Sequence, residues 1–207
     1  LTKDYFWKRC TDDVGQVVES AITELAAVGA KLTTITLPEA DPAIQLWGEG
    51  AVVASEGYGF LQNRLPDWIN SLDPNVLARM EVSKKAKTLD YISALYQISD
   101  LSNSFHAKLE QVDALAVPTI PITPPKVLDV TNPEAYKKFN LLALSNTMPV
   151  NVLGGCAMTI PVGLDKFGMP VGLQLIAPPK REEDLIALAL GVEKKSEHQE
   201  IDLVRPP

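Results

Sequence analysis

The chain has 207 residues, 46% of them hydrophobic, and carries a formal net charge of −7. That length suits one domain or one large part of a domain. The acidic balance argues against a nucleic-acid-binding surface, which needs a basic excess. No apolar stretch approaches the roughly 18–20 residues of a membrane-spanning helix, so we predict no membrane segment. Glycine and proline interrupt the most apolar stretch, residues 150–164, which we predict to be buried core.

Cysteine and histidine are scarce in this chain. The two cysteines (Cys10 and Cys156) and two histidines (His106 and His198) show no metal-ligand spacing. A structural zinc site usually needs about four such ligands close together in sequence, so we predict no metal and no cofactor. Few cysteines and no secretory signal predict a cytoplasmic location.

The first part of the chain predicts a helix followed by a strand. The chain starts at Leu1 rather than Met and begins abruptly, so we expect a fragment or a processed chain. Asp12 or Asp13 can cap a helix whose apolar residues recur at helical spacing as far as Gly29. The Thr-, Ile- and Leu-rich residues 31–37 then predict a strand. This order is typical of an α/β layer.

The middle of the chain is predicted to be helical. A helix is expected over residues 42–64, with Pro42 in its first turn. Residues 73–74 (Asp-Pro) begin a short third helix, and Thr88 can cap a long fourth one that extends to Leu109.

The remaining chain alternates strands, loops and helices. A strand is predicted at 112–117 and an irregular proline-rich loop at 118–125, because proline blocks both helix and sheet pairing. Helical residues 132–146, with room for one break, come next. Two strands at 157–162 and 169–176 then suit a hairpin. An amphipathic helix is predicted at residues 181–195, and the tail at residues 197–207 is expected to be loose.

Three motifs in the last third, in order, are similar to those of one enzyme family. The segments are VDALAVPTIP (112–121), NVLGGCAMTIPVG (151–163) and GMPVGLQLI (168–176), followed by a closing helix at 181–193. They resemble the strand and proline loop, the glycine-containing loop into a core strand, and the Gly-x-Pro-x-Gly-x-Gln strand of the amidase signature family. The resemblance covers nearly the whole chain and implies a single α/β region, 1–207. That region would be the C-terminal part of the amidase-signature fold, with a mixed β-sheet flanked by helices.

The resemblance also implies an activity. Members of the family hydrolyse or transfer small amides, with a lysine, a bridging serine and a nucleophilic serine in a Gly-Gly-Ser-Ser-Gly-Gly-type stretch. An unprotonated lysine can relay a proton between the serines, and the glycine-rich loop can stabilise the oxyanion. This chain has no adjacent serine pair, and its only Gly-Gly, at 154–155, has no serine beside it. We therefore expect no catalytic residue here, an inactive isolated chain, and an N-terminal half of the same enzyme as partner.

Five residues in or beside these motifs are candidates for substrate binding. Gly154, Gly155 and Cys156 could line the cavity, because glycine lets a ligand approach the backbone, or could simply form a tight turn into a buried strand. Asn151 could touch substrate or, more simply, hold its loop through side-chain bonds to backbone. Thr119, at the end of a strand that leads into a rigid loop, has the same two interpretations.

Tyr58 is a sixth candidate for substrate binding. The resemblance places the helix of residues 42–64 beside the substrate entrance, so Tyr58 could shape acyl-group specificity. Its spacing fits ordinary core packing equally well.

Two other functions remain open at this point. The chain could be a non-catalytic or split subunit that binds an N-terminal half, because half a fold exposes a large apolar surface unless paired. It could also be an independent thiol enzyme that uses Cys156, although no neighbouring base supports this. The preferred substrate is a small amide or urea-type molecule, and a homo-oligomer is possible.

Overall fold

The structure, a computed structural model, describes residues 1–2 and 4–196, without the side chains of residues 195 and 196. The tail predicted to be loose, 197–207, lies outside the described residues. The α-helices are α1 (Asp12–Ala27), α2 (Ala40–Gly48), α3 (Val53–Arg64), α4 (Pro74–Glu81), α5 (Thr88–Leu109), α6 (Pro133–Leu144), α7 (Met148–Val152) and α8 (Glu182–Ser196). Short 3-10 helices span Pro66–Ser71, Val82–Lys85 and Val127–Val130. The strands are β1 (Leu115–Pro118), β2 (Cys156–Leu164) and β3 (Pro170–Ala177).

Helix α1 begins one residue earlier than the aspartate caps predict. Thr11 has the extended backbone of an N-cap, with φ −71° and ψ 149°, and its side chain makes no capping bond. Asp12 and Asp13 lie instead in the first turn, where negative charge is favourable beside the helix dipole. Gly29 follows the helix with φ 109°, the left-handed conformation that the sequence predicts.

The prediction of a strand at residues 31–37 is wrong, since the described part of the chain forms no strand there. A strand needs a ladder of backbone hydrogen bonds. The Leu37 amide donates to the Asp4 carboxylate at 2.7 Å, and the backbone pairing of this segment is with Leu1, whose amino nitrogen donates to the Thr33 carbonyl at 2.7 Å. In return, the Ile35 amide donates to the Leu1 carbonyl at 2.8 Å. Residues 31–34 are otherwise exposed extended chain.

The single helix predicted at residues 42–64 is divided into α2 and α3. The break lies at Gly50, whose φ of 71° ends a helix and strains any residue with a Cβ. Helix α4 starts as predicted, with Asp73 accepting from the Asn75 amide at 2.8 Å. Helix α5 uses Lys87, not Thr88, as its N-cap residue.

The helix predicted at residues 132–146 is confirmed as α6, which ends at Leu144, and a separate short helix, α7, follows it. Asn132 caps α6 by accepting from the Ala135 amide at 2.8 Å. Pro149, which lacks a backbone N–H, lies in the first turn of α7, where that loss is tolerated. The hairpin and the closing helix α8 are confirmed within two residues of their predicted ends.

The strand order is β1-β3-β2, and both pairings between described strands are antiparallel. The β2–β3 pairing is the predicted hairpin, with an irregularity between Pro161 and Gly163. Strand β1 adds to the other edge of β3, with Leu115 opposite Ile176. The α/β class is confirmed, and the described part of the sheet is antiparallel rather than mixed.

Each face of the sheet packs against helices. Helices α1 and α8 cover one face, and α5 and α7 cover part of the other. The first core contains Val14, Val18, Ile22, Ile160, Val162, Val171, Leu173, Leu175, Ala177, Leu185, Ala189 and Val192. The second contains Tyr5, Phe6, Leu37, Ala40, Ala43, Phe105, Leu109, Leu115, Val117, Val150, Leu153 and Ile176. No helix in the described residues is long and apolar enough to cross a membrane.

Candidate functional site

A groove of about 240 Å³ lies where the proline loop meets the β2–β3 hairpin. It is lined by Val14, Thr119, Ile120, Ile122, Thr123, Pro124, Thr159, Pro161, Asp165, Pro170, Val171 and Gly172. The Thr119 amide donates to the Gly172 carbonyl at 2.9 Å, which extends the pairing of β1 and β3 one residue into the loop. The groove therefore has a sheet floor and an irregular, proline-stiffened wall.

Two threonine hydroxyls meet on the groove floor above a glycine. The Thr119 hydroxyl donates to Thr159 Oγ1 at 3.2 Å, and both side chains stand beside Gly172. A Cβ at Gly172 would lie 2.7 Å from Thr159 Cγ2 and 2.8 Å from Thr119 Oγ1. Glycine is therefore what lets the threonines approach each other.

Of the predicted site residues, only Thr119 lines this groove. Sequence reasoning missed Thr159, which is exposed on β2. Its place became visible only with the register of the hairpin, in which Thr159 is opposite Gln174 and therefore on the same sheet face as Gly172.

A buried aspartate fixes the hairpin loop to the proline loop. Asp165 is 7% exposed, and its Oδ2 accepts from the Thr123 hydroxyl at 2.6 Å. Its Oδ1 accepts from the Phe167 and Met169 amides at 2.8 and 2.9 Å. Burial by itself raises the pKa of this carboxyl, but the hydrogen bonds it accepts outweigh burial and hold the pKa below its ordinary value of 3.8. Asp165 is therefore a charged acceptor that joins the two loops.

A buried asparagine holds the other end of the groove wall. Asn146 is 1% exposed, and its side-chain amide donates to the carbonyls of Phe6 at 2.8 Å and Pro118 at 2.7 Å. Buried Gln174 donates to the Asn146 carbonyl at 3.3 Å. These bonds join the N-terminal aromatic segment, the end of β1 and the sheet. The sequence interpretation placed Asn146 only as a helix end.

The Gly-Gly-Cys segment lies apart from the groove, beside α5. A Cβ at Gly155 would lie 3.3 Å from each of Ala177 O, Phe105 Cε1 and Val150 Cγ1, so protein atoms surround this glycine. Gly154 has φ 69°, and a Cβ added there would lie 3.9 Å from His106 Nε2. The segment therefore turns tightly into β2.

Neither His106 nor Cys156 takes part in a nucleophile–base pair. His106 Nε2 lies 2.7 Å from the Leu153 carbonyl oxygen, so that nitrogen carries the proton and donates. The Cys156 thiol donates to the carbonyls of Pro178 at 3.1 Å and Ala177 at 3.7 Å. Among the described residues, no serine hydroxyl or cysteine thiol bonds to a histidine or lysine.

Asn151 and Tyr58 occupy two further places outside the groove. Asn151 is exposed on α7, and its side chain forms no hydrogen bond with another described residue. Tyr58 is buried in α3, with Lys84 Nζ 5.2 Å from the centre of its ring. No three His, Cys, Asp or Glu side chains of the described residues are grouped to hold a metal ion.

The groove and its surroundings define a class of protein. A helix-flanked sheet ends in a small groove with hydroxyl groups and fixed loops, and the described residues carry no nucleophile–base pair. These features place the chain in the α/β class, with a groove at one end of its sheet.

Comparison with known proteins specifies the family. A family model described as amidase matches residues 1–186, and the chain belongs to this family. The 2-amino-5-chloromuconic acid deaminase of Comamonas testosteroni is 34% identical over 190 residues, covering 92% of this chain and 41% of the deaminase. A glutamyl-tRNA(Gln) amidotransferase subunit of Chlorobium limicola is 27% identical over 217 residues, covering 94% of this chain and 45% of that protein.

Solved structures agree on the fold. The urea amidolyase of K. lactis superposes with a TM-score of 0.81 at 23% identity, covering 94% of this chain and 12% of that chain. A second structure, described as an amidase, gives a TM-score of 0.74 at 22% identity. The match covers 94% of this chain and 44% of that chain. The chain therefore has part of the amidase fold, and it spans less than half the length of these curated relatives.

Proposed function

We propose that this chain is the C-terminal half of an amidase that cleaves a carbon–nitrogen bond of a small substrate through a serine acyl-enzyme. The observation that carries the proposal is the family match over residues 1–186 in a chain without a nucleophile–base pair among its described residues. The nucleophile and its activating lysine then belong to the N-terminal half. This half supplies sheet strands and one wall of the cleft, in a cytoplasmic enzyme.

The threonine pair is our candidate for direct contact with substrate. Thr119 donates to Thr159, which leaves the Thr159 hydroxyl proton free to donate toward the groove. Asp165 and Asn146 fix the loops on either side, and fixed polar groups contribute most to binding because little order is lost on association. Thr119 and Thr159 would thus orient a polar substrate group.

We retain the other predicted residues in the proposal, although they lie outside the groove. The segment of residues 151–156 lies beside α5 and contains Asn151, Gly154, Gly155 and Cys156. Substrate held by the N-terminal half would lie against this segment. Tyr58 would border the entrance from α3. These residues would shape the cleft rather than react.

The substrate we favour is a small amide, or a small amino acid whose carbon–nitrogen bond is hydrolysed. A relative named for deamination of 2-amino-5-chloromuconic acid shares 34% identity, against 27% for the amidotransferase relative. That difference favours a free small molecule over aminoacyl-tRNA, and so does the charge of −7.

The test is an activity assay on the protein encoded by the complete gene, against the 207-residue chain alone. Ammonia release is measured with simple amides, a urea derivative, glutamine and a 2-aminomuconate-type amino acid. We expect activity only in the complete protein, retained in Cys156→Ala and in the matched Cys10→Ala variant. Activity of the chain alone that disappears in Cys156→Ala would instead establish a thiol enzyme.

A non-catalytic subunit is the second candidate function. Its support is an exposed apolar stripe on α5, where Leu89 is 78% and Tyr96 71% exposed, because such surface usually marks association. A separate gene for the N-terminal half, with activity only on mixing the two chains, would establish this arrangement. Size-exclusion chromatography with light scattering would also show whether either form is a homo-oligomer.

A further inference from the structure

We propose that His106 is a positioning residue, which fixes the turn of residues 153–155 and thereby holds Gly154 in place for contact with substrate. The first part of this statement depends only on the contacts of α5 and α7 with this turn. The second part rests on the proposed function, in which substrate lies against residues 151–156. His106 acts through the backbone in this role and exchanges no proton with substrate.

Helix α7 ends in a Schellman motif. Leu153 is its C-cap residue, and Gly154 follows in the left-handed conformation, with φ 69°. The Gly155 amide donates to the Val150 carbonyl at 3.0 Å, and the Gly154 amide donates to the Asn151 carbonyl at 3.3 Å. These two bonds define the motif. The motif provides no donor for the Leu153 carbonyl, which is one of the last carbonyls of the helix and needs a partner from elsewhere.

His106 supplies the missing donor. Its Nε2 lies 2.7 Å from the Leu153 carbonyl oxygen, and Leu153 is fully buried. A buried carbonyl without a donor costs free energy, so the turn is more stable with the imidazole in this place than without it. Nε2 donates both in the neutral tautomer that carries its proton there and in the imidazolium. The bond therefore does not depend on the charge of the ring.

The residue beside His106 fixes the same turn through packing. Phe105 is fully buried, and a Cβ at Gly155 would lie 3.3 Å from Phe105 Cε1. Gly154 is exposed, and the described atom nearest to a Cβ placed on it would be His106 Nε2, at 3.9 Å. Protein atoms therefore enclose Gly155, whereas Gly154 leaves room for a ligand to approach the backbone.

A buried carboxylate fixes the other side of α5. Glu39 is 4% exposed, and its Oε1 accepts from the Ser104 hydroxyl at 2.6 Å and from the Lys108 ammonium group. Ser104 and Lys108 are one helical turn apart and share a face of α5. His106 lies between them in sequence and projects from another face, toward α7. The imidazole is therefore carried by a helix end that is itself attached to α2, so the position of its donor is determined by the fold.

Site-resolved hydrogen exchange on the protein encoded by the complete gene tests the hold on the turn. His106→Gln keeps a side-chain N–H near the place of Nε2, whereas His106→Asn is too short and His106→Ala has no donor. We expect the Gly155 amide to exchange about tenfold faster in the Asn and Ala variants, and within about threefold of the parent in the Gln variant. The Glu110 amide, which donates to the His106 carbonyl at 3.0 Å, is the internal control for α5.

Two results of this experiment would overturn the proposal. One is a Gly155 amide that exchanges equally in the parent and in His106→Ala. The other is a Glu110 amide that accelerates together with Gly155, because the effect would then belong to α5 as a whole. Neither result depends on amidase activity, so this proposal and the proposed function can fail separately.

Steady-state kinetics of the same variants test the contact with substrate, using the best substrate of the ammonia-release assay. We expect KM to rise about fivefold in His106→Ala and His106→Asn, with kcat within about threefold of the parent and KM restored in His106→Gln. Asn103→Ala, at an exposed position of α5, is the matched control and should leave both constants unchanged. Loss of kcat in all three His106 variants would indicate acid–base chemistry and refute the positioning role. Faster Gly155 exchange with an unchanged KM would refute the contact with substrate.

Discussion

The sheet end around the groove and the helical region of residues 40–109 are stabilised in different ways. At the sheet end, Asn146, Asp165 and Gln174 are buried with hydrogen-bond partners. In the helical region, the separate core contains only Leu46, Ala51, Val52 and Ala94. Large apolar side chains of the same region are exposed, among them Val53, Phe60, Trp68, Leu89, Ile92 and Tyr96.

The difference indicates which part of the site is preorganised. Satisfied buried polar groups specify one arrangement of the backbone, since breaking any of them leaves a donor or acceptor unpaired. A small core leaves more freedom for helices to move. The groove wall is therefore rigid, whereas the α3 surface near Tyr58 has more freedom to move.

Removal of the Asn146 amide should give the largest effect. Asn146→Ala leaves the Phe6 and Pro118 carbonyls buried without their donor and opens a small cavity. We expect a loss of about 3 kcal/mol in the free energy of unfolding, measured by urea denaturation. Asn103→Ala, at an exposed position of α5, is the control and should stay within about 0.5 kcal/mol of the parent.

A matched pair of valine substitutions compares the two regions directly. Val117→Ala removes methyl groups from the fully buried sheet core and should cost about 2.5 kcal/mol. Val52→Ala does the same in the small helical core and should cost about 1 kcal/mol, because its surroundings can relax. Equal losses on urea denaturation would contradict the contrast between a rigid and an adaptable region.

A methyl group at Gly172 tests the close approach on the groove floor. Gly172→Ala should destabilise by about 2 kcal/mol, since its Cβ overlaps Thr159 Cγ2 and Thr119 Oγ1. Thr159→Ser removes that Cγ2, so the double variant should recover part of the loss. A double-mutant cycle with no coupling energy would show that the threonines move aside freely.

Neutralising Asp165 should give the smallest effect, and one that depends on pH. Its pKa is lowered in the folded state, so its stabilisation is fully present above the ordinary pKa of 3.8 and is lost as pH falls through the lower folded value. Asp165→Asn should therefore cost about 1 kcal/mol at pH 7. The difference from the parent should shrink below about pH 4, measured by urea denaturation across that range. A difference that stays constant would assign the effect to packing.

Several elements could be predicted because their signals are local. The proline at Pro74, the glycine at Gly29 and the alternating apolar residues of the hairpin each fix nearby backbone. The division of residues 42–64 was missed because Gly50 in a helical pattern does not reveal its φ. The prediction of a strand at residues 31–37 failed for a different reason. A strand forms only where a neighbouring strand completes its ladder of backbone hydrogen bonds.

The site was predictable only in part. Thr119, predicted as a candidate from its place at the end of a strand, lines the groove, whereas Thr159, Gly172 and Asn146 required the register and the packing. Contacts between residues far apart in sequence, such as Asn146 with Phe6, leave no local pattern.

The sequence by itself determined the family, the hairpin and the absence of a Ser-Ser pair, because each of these depends on a short stretch of consecutive residues. Only the tertiary structure decided that two threonines meet over Gly172, that Asp165 joins two loops, and that Leu1 bonds to the backbone of Thr33 and Ile35. These depend on how distant segments are brought together, and that is set by the burial of two sheet faces rather than by any one segment.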